Sequence, residues 1–402
     1  MREILRRPHY RRFLVARFIS NFGNGMGPIA LAFGILHMRG GSASLLGWIL
    51  GMQTIAMLCM SPMGGVIADK YGRIRILGLM DIIGGTALLV QAYFFSTGHV
   101  PLGIFIVVNI TFGLCWGVFW PAFGGLMPAL VDEADLQKAN STNQFVANIA
   151  IITGTAVGGI LVSTIGSTLA LTFDAASFLI CGLVVFSMRH LTEQVESETS
   201  MIDDLIHGWK VFLSFRWIVV IVAAFGLIVM CWAAAENILG PLVSLKSFSG
   251  AKSWSIVLSA EAAGYIVGSL LGMKLRPKYP MRFLMLMTFS VSVYIFTLAG
   301  PMNLWIISAC AFVWGISLDL WGAIWTTALQ KEVPRDSLSR VSAFDGMGSL
   351  SLRPLGLAIA APVANWLGLT LALEVFAGIS AVAIAATLFV PQVRNMQFSE
   401  NS

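Results

Sequence analysis

GGVIADKYGRIR, residues Gly64 to Arg75, closes one apolar run, Leu45 to Ala68, and opens the next with one acid, three bases and a glycine turn at Gly72. A short charged hairpin between two long apolar stretches belongs at a membrane surface, where its charges stay in water while the flanking helices enter hydrocarbon. Gly65 lets two helices approach closely. Asp69, at the end of its helix, suits the free N–H groups and positive dipole at the start of another helix. A contact of that kind, made in one conformation only, biases a two-state equilibrium. The plainer reading is a polar turn that anchors topology.

The rest of the chain agrees with a lipid environment. Hydrophobic residues are 57% of 402, charged ones 11%, and mean hydropathy is +0.82; a soluble domain carries about 25% charged residues. The lipid bilayer is therefore the first expected partner. A net charge of +5 could suit nucleic acid, but the bases gather in the loops and no nucleic acid is expected. Arg2, Arg6, Arg7, Arg11 and Arg12 precede an apolar run too long for a signal-peptide core, so it is read as a retained first span. Cys59, Cys115, Cys181, Cys231 and Cys310 lie in apolar runs without paired spacing. That pattern indicates neither disulfides nor a metal, and no cofactor is expected.

At roughly 20 apolar residues per crossing, twelve spans are expected near 13–37, 43–68, 76–96, 101–124, 140–164, 168–188, 217–243, 253–273, 282–299, 302–329, 340–366 and 369–390. Bases set the orientation. One set of loops holds the N-terminal arginines, Lys70, Arg73, Arg75, Lys138, Arg189, Lys210, Arg216, Lys274, Arg276, Lys278, Arg282, Lys331, Arg335, Arg340 and Arg394. The other holds only Arg39, Lys246 and Lys252. Both termini are therefore expected in the cytoplasm, with the chain in the inner (plasma) membrane. The one long polar connection, Arg189 to Arg216, falls near the midpoint. In it Met201, Ile202, Leu205, Trp209, Phe212 and Leu213 recur at helical spacing. A helix lying on the inner surface and a mere tether both fit. The expected organisation is a six-helix bundle over 1–190, a linker over 191–215, and a second bundle over 216–402.

The halves repeat at an offset of 202 residues. Lys138 falls on Arg340, Gly154 on Gly356, Gly166 on Gly368, and Thr168-Leu169-Ala170-Leu171 on Thr370-Leu371-Ala372-Leu373. The spacing Gly65-x-x-x-Asp69-Lys70-x-Gly72-Arg73 resembles the loop between helices 2 and 3 of the major facilitator superfamily, with Lys70 where Arg is commoner. The segments Met127 to Ser141 and Leu329 to Val341, and Asn237-Ile238-Leu239-Gly240-Pro241, resemble the drug:proton antiporter branch that includes macrolide and enterobactin exporters. The resemblance implies an all-α membrane protein of twelve helices in two pseudo-symmetric bundles, exporting by alternating access with protons as driving partner. Two departures stand out. Span 5 reads Gly154-Thr155-Ala156-Val157-Gly158-Gly159 where such exporters often place a proline after the first glycine. Span 4 has Asn109 where many proton-coupled members have Arg, so that position lacks its coupling residue.

A charge inside the bilayer costs several kcal/mol or is paired, roughly 2.5–3.5 at a helix centre. Arg17 shares a face of span 1 with Asn21; cavity lining and snorkelling to the inner surface both remain open. Arg353 in span 11 and Asp319 in span 10 fall at similar depth and are expected to pair. Glu236 in span 7 and Glu261 in span 8 are candidates for proton carrier or counter-charge to a cationic substrate, with plain exposure at the outer mouth as the alternative. Asp81 is expected to pair with a loop base, and Asp174 and Glu374 are given no transport role. Aromatics gather on the spans that line the cavity in this fold, with Trp116 and Trp120 in span 4 and Trp314 and Trp321 in span 10. An aromatic wall suits bulky apolar or cationic ligands, and core packing is the simpler reading of any one ring.

The expected function is secondary export of amphiphilic or hydrophobic small molecules by a monomer. A nutrient or metabolite importer of the same fold is the alternative. Five scattered histidines and the lone Asp203-Asp204 pair offer no membrane-enzyme cluster, and no phosphate-binding loop for ATP is present.

Overall fold

The computed structural model describes residues 6–98, 101–124, 126–127, 130–132, 135–191, 209–272, 274–300, 303–334 and 338–397. Among these the regular structure is helical throughout. The long helices are α1 (Pro8–His37), α2 (Ala43–Tyr71), α3 (Arg73–Ser96), α4 (Leu102–Gly124), α5 (Leu136–Thr164) and α6 (Ser167–Ser187), followed by α7 (Arg216–Ser247), α8 (Ala251–Gly272), α9 (Pro280–Ala299), α10 (Leu304–Glu332), α11 (Leu338–Leu350, resuming at Arg353–Leu367) and α12 (Leu369–Leu388). A short α13 (Pro391–Arg394) ends the described chain. Each expected span thus has its helix. Eleven are long and apolar enough to cross a membrane. The exception, α1, has the length at 30 residues, but Arg17, Asn21, Asn24 and Pro28 dilute its hydropathy.

Two helices depart from plain continuity. In α7 the residues Ala234–Leu239 form a π-helical segment. Pro241 follows it, and a proline lacks the N–H that would bond one turn back, so the turn before it widens. In α11 the break at 351–352 precedes Pro354, which sits at the start of the second segment. Pro354 has no N–H to bond back to the carbonyl of Leu350, so the helix breaks before it and resumes with Arg353 at its start.

Contacts divide the chain into two compact units, Met1–Ser197 with Ser249–Ser259, and Glu198–Phe248 with Ala260–Ser402. Within the first, α1 packs on α5 and α6, α2 on α4, and α3 on α4 and α6. Within the second, α7 packs on α11 and α12, α9 on α10 and α12, and α8 on α10, where Gly264 and Gly268 meet the carbonyls of Phe312 and Ile316. Adding six to each helix number converts one set of pairings into the other. Matched residues carry the same contacts. A Cβ at Gly154 would collide with the carbonyl oxygen of Phe22, and a Cβ at Gly356 with that of Met230. Only hydrogen there lets α5 meet α1, and α11 meet α7, backbone to backbone. Gly166 and Gly368 both have positive φ, 111° and 85°, at the starts of α6 and α12.

In the linker, 192–208, and with them Met201, Ile202 and Leu205, lie outside the described residues. Residues 209–214 are helical. Trp209 and Phe212 stack with centroids 5.6 Å apart, and both meet Phe344 of α11, at 5.2 and 6.1 Å. This end of the linker is therefore packed on its unit.

Candidate functional site

The hairpin Gly64 to Arg75 is built as a tight reversal. Gly72 has φ 87° and joins α2 to α3. Asp69 accepts a hydrogen bond from Nε of Arg73 at 2.8 Å, so part of its charge is met locally. Lys70 is exposed and lies 5.5 Å over the Tyr71 ring. One expectation is corrected: close approach falls to Gly64 rather than Gly65. A Cβ on Gly64 would lie 2.6 Å from the Gly117 carbonyl oxygen of α4, whereas one on Gly65 would make an ordinary 3.8 Å contact with Pro121. Helical rotation of 100° per residue sends neighbouring glycines to different faces.

In the first unit Arg17 is 7% exposed, which excludes snorkelling. Its guanidinium lies 4.9 Å from the Phe119 ring and 5.2 Å from the Phe123 ring, and Nη2 reaches Asn21 Oδ1 at 3.4 Å. Asp81 of α3 is buried near it, close enough to feel its charge, with the Cys181 thiol close by. The expected pairing of Asp81 with a loop base is therefore wrong. Eight residues beyond the start of α3, its carboxyl turns inward to α1. Neither Arg17 Nε nor Asp81 Oδ2 has a direct partner.

Asn109 is buried, donating to the Phe105 carbonyl at 2.9 Å and facing Gln91 Oε1 at 3.5 Å. It is a packing group of α3 and α4. Trp116 lies edge-on to Trp120 at 5.8 Å, and Trp120 is 52% exposed. Asp174, given no role from the sequence, proves 3% exposed, wedged against Gly23 and Gly27 of α1 with Oδ1 unpartnered. The glycines four residues apart were the available signal, since a notch on one helix needs something to fill it.

The second unit gathers the two glutamates. Glu236, in the π-helical segment of α7, accepts from Trp232 Nε1 at 2.6 Å. Glu261 of α8, 2% exposed, accepts at Oε1 from the Tyr265 hydroxyl at 2.6 Å. Its other oxygen meets no N–H or O–H donor. The Glu236 carboxyl stands near enough for the two charges to act on each other. Tyr294 of α9 is buried close by, its hydroxyl unpartnered. Exposure at an outer mouth is thereby excluded for Glu261.

Arg353 completes the group, and here a second pairing is corrected. Its charge bears on Glu236, and among the described residues it makes no ion pair with Asp319. Equal depth did not mean a shared face: Asp319 packs its Cβ toward Gly268 of α8. The α10 tryptophans also turn inward. Trp314 lies edge-on to Trp232 at 5.6 Å and is almost fully buried, while Trp321 packs 4.3 Å from Phe225 and 5.5 Å from Trp325. They are core rings of their own unit rather than an open wall.

The comparisons with known proteins bear on the chain as a whole. Macrolide efflux protein A of Streptococcus pyogenes is 24% identical over 344 residues, covering 83% of this chain and 84% of that protein. The multidrug efflux pump Tap of Mycobacterium tuberculosis (strain ATCC 25618 / H37Rv) is 23% identical over 370 residues, 89% of this chain and 87% of that one. The crystal structure of the nucleoside transporter NupG superposes with a TM-score of 0.77 at 16% identity, over 95% of this chain and 98% of that one. That likeness is one of fold. Residues 13–352 match the Major Facilitator Superfamily profile, and the chain, a multi-pass membrane protein, belongs to that family of transporters.

Proposed function

We propose that this chain is a secondary active exporter of amphiphilic or hydrophobic small molecules, working by alternating access and driven by protons. The observation that carries the reading is that Glu261 is buried with one carboxyl oxygen lacking any donor, near enough to Glu236 for the two to repel each other when both are charged. A proton held by either carboxyl relieves that repulsion. With Arg353 facing Glu236, the group of three is neutral when it holds one proton and carries a net negative charge when it holds none. An unpaired charge in hydrocarbon costs about 2.5–3.5 kcal/mol or more. The proton is therefore given up when the site opens to water, or when a cationic or strongly polarised substrate takes its place. Such replacement is the chemistry of antiport.

The groups around the pair support this. Tyr265 and Trp232 each supply one donor at 2.6 Å, which orients the carboxyls without neutralising them. Tyr294 stands next to both. The π-helical segment places Glu236 on the kind of widened turn that is frequent at functional sites. Outward direction is supported by the two efflux relatives, and a cytoplasmic position for both termini by the bases of the loops. The hairpin Gly65 to Arg73 is the proposed conformational switch, and a monomer the proposed transport unit.

The test is pH-gradient-driven flux of a panel of dyes and macrolides in proteoliposomes. Glu236→Gln and Glu261→Gln are each expected to slow gradient-driven flux at least about tenfold, some 1.4 kcal/mol in barrier, while substrate-induced tryptophan quenching persists. Unchanged gradient-driven flux in both variants would remove the proton role. Accumulation in inverted vesicles marks export, and accumulation in whole cells marks the importer alternative.

A further inference from the structure

Outside the site just described, the second unit has an open hollow of about 420 Å³ lined by Arg282, Leu286, Leu388, Phe389 and Arg394, a ligand-sized volume. Its walls come from three elements: the first turn of α9, the end of α12, and α13. The two arginines are 112 residues apart in sequence and converge on one hollow. Arg394 is held there because its neighbour Val393 is fully buried, so α13 packs against α9 and α12. Among the described residues neither guanidinium has an ion pair or hydrogen-bond partner. Two exposed guanidiniums converging on one open hollow suit an anion, and an oxyanion able to accept from both.

The rest of the lining says what kind of anion. Leu286 lies one helical turn deeper than Arg282 on the same face of α9 and is 50% exposed; Phe389, at the end of α12, is 82% exposed. A soluble phosphate has no use for such apolar surface. A phospholipid does, because its phosphate sits at the interface while its chains continue into hydrocarbon. Both arginines also belong to the base-rich side of the chain, the side that faces anionic lipid.

We infer that this hollow is a binding site for the phosphate headgroup of an anionic phospholipid, with Arg282 and Arg394 as its ligands and Leu286, Leu388 and Phe389 as the bed for the start of the acyl chains. The first unit differs at its own charged inner end. There Arg7 is met by Asp132 and Asp135, and Arg73 by Asp69, so those bases are already neutralised.

The experiment is native mass spectrometry of the purified full chain, titrated with phosphatidylglycerol, with phosphatidylcholine, and with phosphatidylglycerol in the presence of millimolar inorganic phosphate. One phosphatidylglycerol is expected to bind above the phosphatidylcholine background. Its affinity is expected to fall about fivefold in Arg282→Gln or Arg394→Gln and about thirtyfold in the double variant, as the loss of one or two surface bases implies. The Arg282→Lys/Arg394→Lys chain, which keeps the charge, is expected to retain most of the binding and checks that folding is intact. Inorganic phosphate is expected not to displace the lipid. Equal binding of phosphatidylglycerol by the native and double-Gln chains would overturn the assignment. So would a preference no greater than for phosphatidylcholine, or displacement by inorganic phosphate.

Discussion

The two units bury charge in opposite ways. The first places Arg17 beside Asp81, one charge of each sign, among Asn21, Cys181 and two phenylalanine rings. The second places two carboxyls near each other with a single arginine at one of them. Opposite charges can stay ionised through a whole transport cycle, because each lowers the cost of burying the other. Two like charges buried together cannot both stay ionised, and the group must gain or lose a proton as its surroundings change. On the proposed function, the comparison teaches that a duplicated fold can hold a fixed charge pair in one copy and a proton-exchanging one in the other.

The largest effects should separate these roles. In proteoliposomes, Glu261→Gln is expected to abolish the dependence of flux on the pH gradient. Asp81→Asn is expected to leave that dependence in place while lowering the yield of folded protein. If the gradient dependence instead vanished in Asp81→Asn and survived in Glu261→Gln, the assignment would be reversed.

Next comes stability. Arg17→Met leaves Asp81 buried without its counter-charge and is expected to destabilise the chain by about 3 kcal/mol, read as a lower Tm in detergent. The double variant Arg17→Met/Asp81→Leu should recover most of that loss. Failure to recover would mean that the two charges are not coupled.

A smaller effect probes the duplication itself. Gly154→Val and Gly356→Val each push a side chain into a backbone carbonyl across a helix contact. Both should destabilise by similar amounts, about 1–3 kcal/mol. A large effect at one and none at the other, by thermal unfolding in detergent, would break the equivalence of the two units.

The smallest effect lies at the surface. Arg7 hydrogen-bonds Asp132 and holds its carboxyl below the usual carboxylate range. A depressed carboxylate adds stability above its ordinary pKa, near 3.9, and loses it as pH falls through the lowered value. Asp132→Asn should therefore lower Tm slightly at pH 7, and the difference from the native chain should shrink toward zero as the pH falls below about 4. Because the pair is exposed, salt should weaken it too.

How legible these features were depends on their physical origin. The helices and the six-helix duplication could be read directly, because bilayer thickness fixes the length of an apolar run and because Gly154 and Gly356 recur at a constant offset. Glu236 and Glu261 were legible as candidates, since a carboxyl in an apolar run is costly wherever it points. Their closeness was not. Nor was the failure of Arg353 and Asp319 to meet, since depth along a helix follows from counting residues while the direction of a side chain follows from rotation about the axis. The break at 351–352 and the π-helical segment at Ala234–Leu239 each reset that rotation within a span.

The amino-acid sequence alone determined that the chain crosses a membrane, how many times, and which residues would be expensive to bury, because these depend on composition and spacing along one dimension. Only the tertiary structure decided which of those residues share a partner: Arg17 with Asp81, Arg353 with Glu236, and Glu236 with Glu261. The reason is that a few tens of degrees of helix rotation change every lateral neighbour while leaving the hydropathy of the helix unaltered.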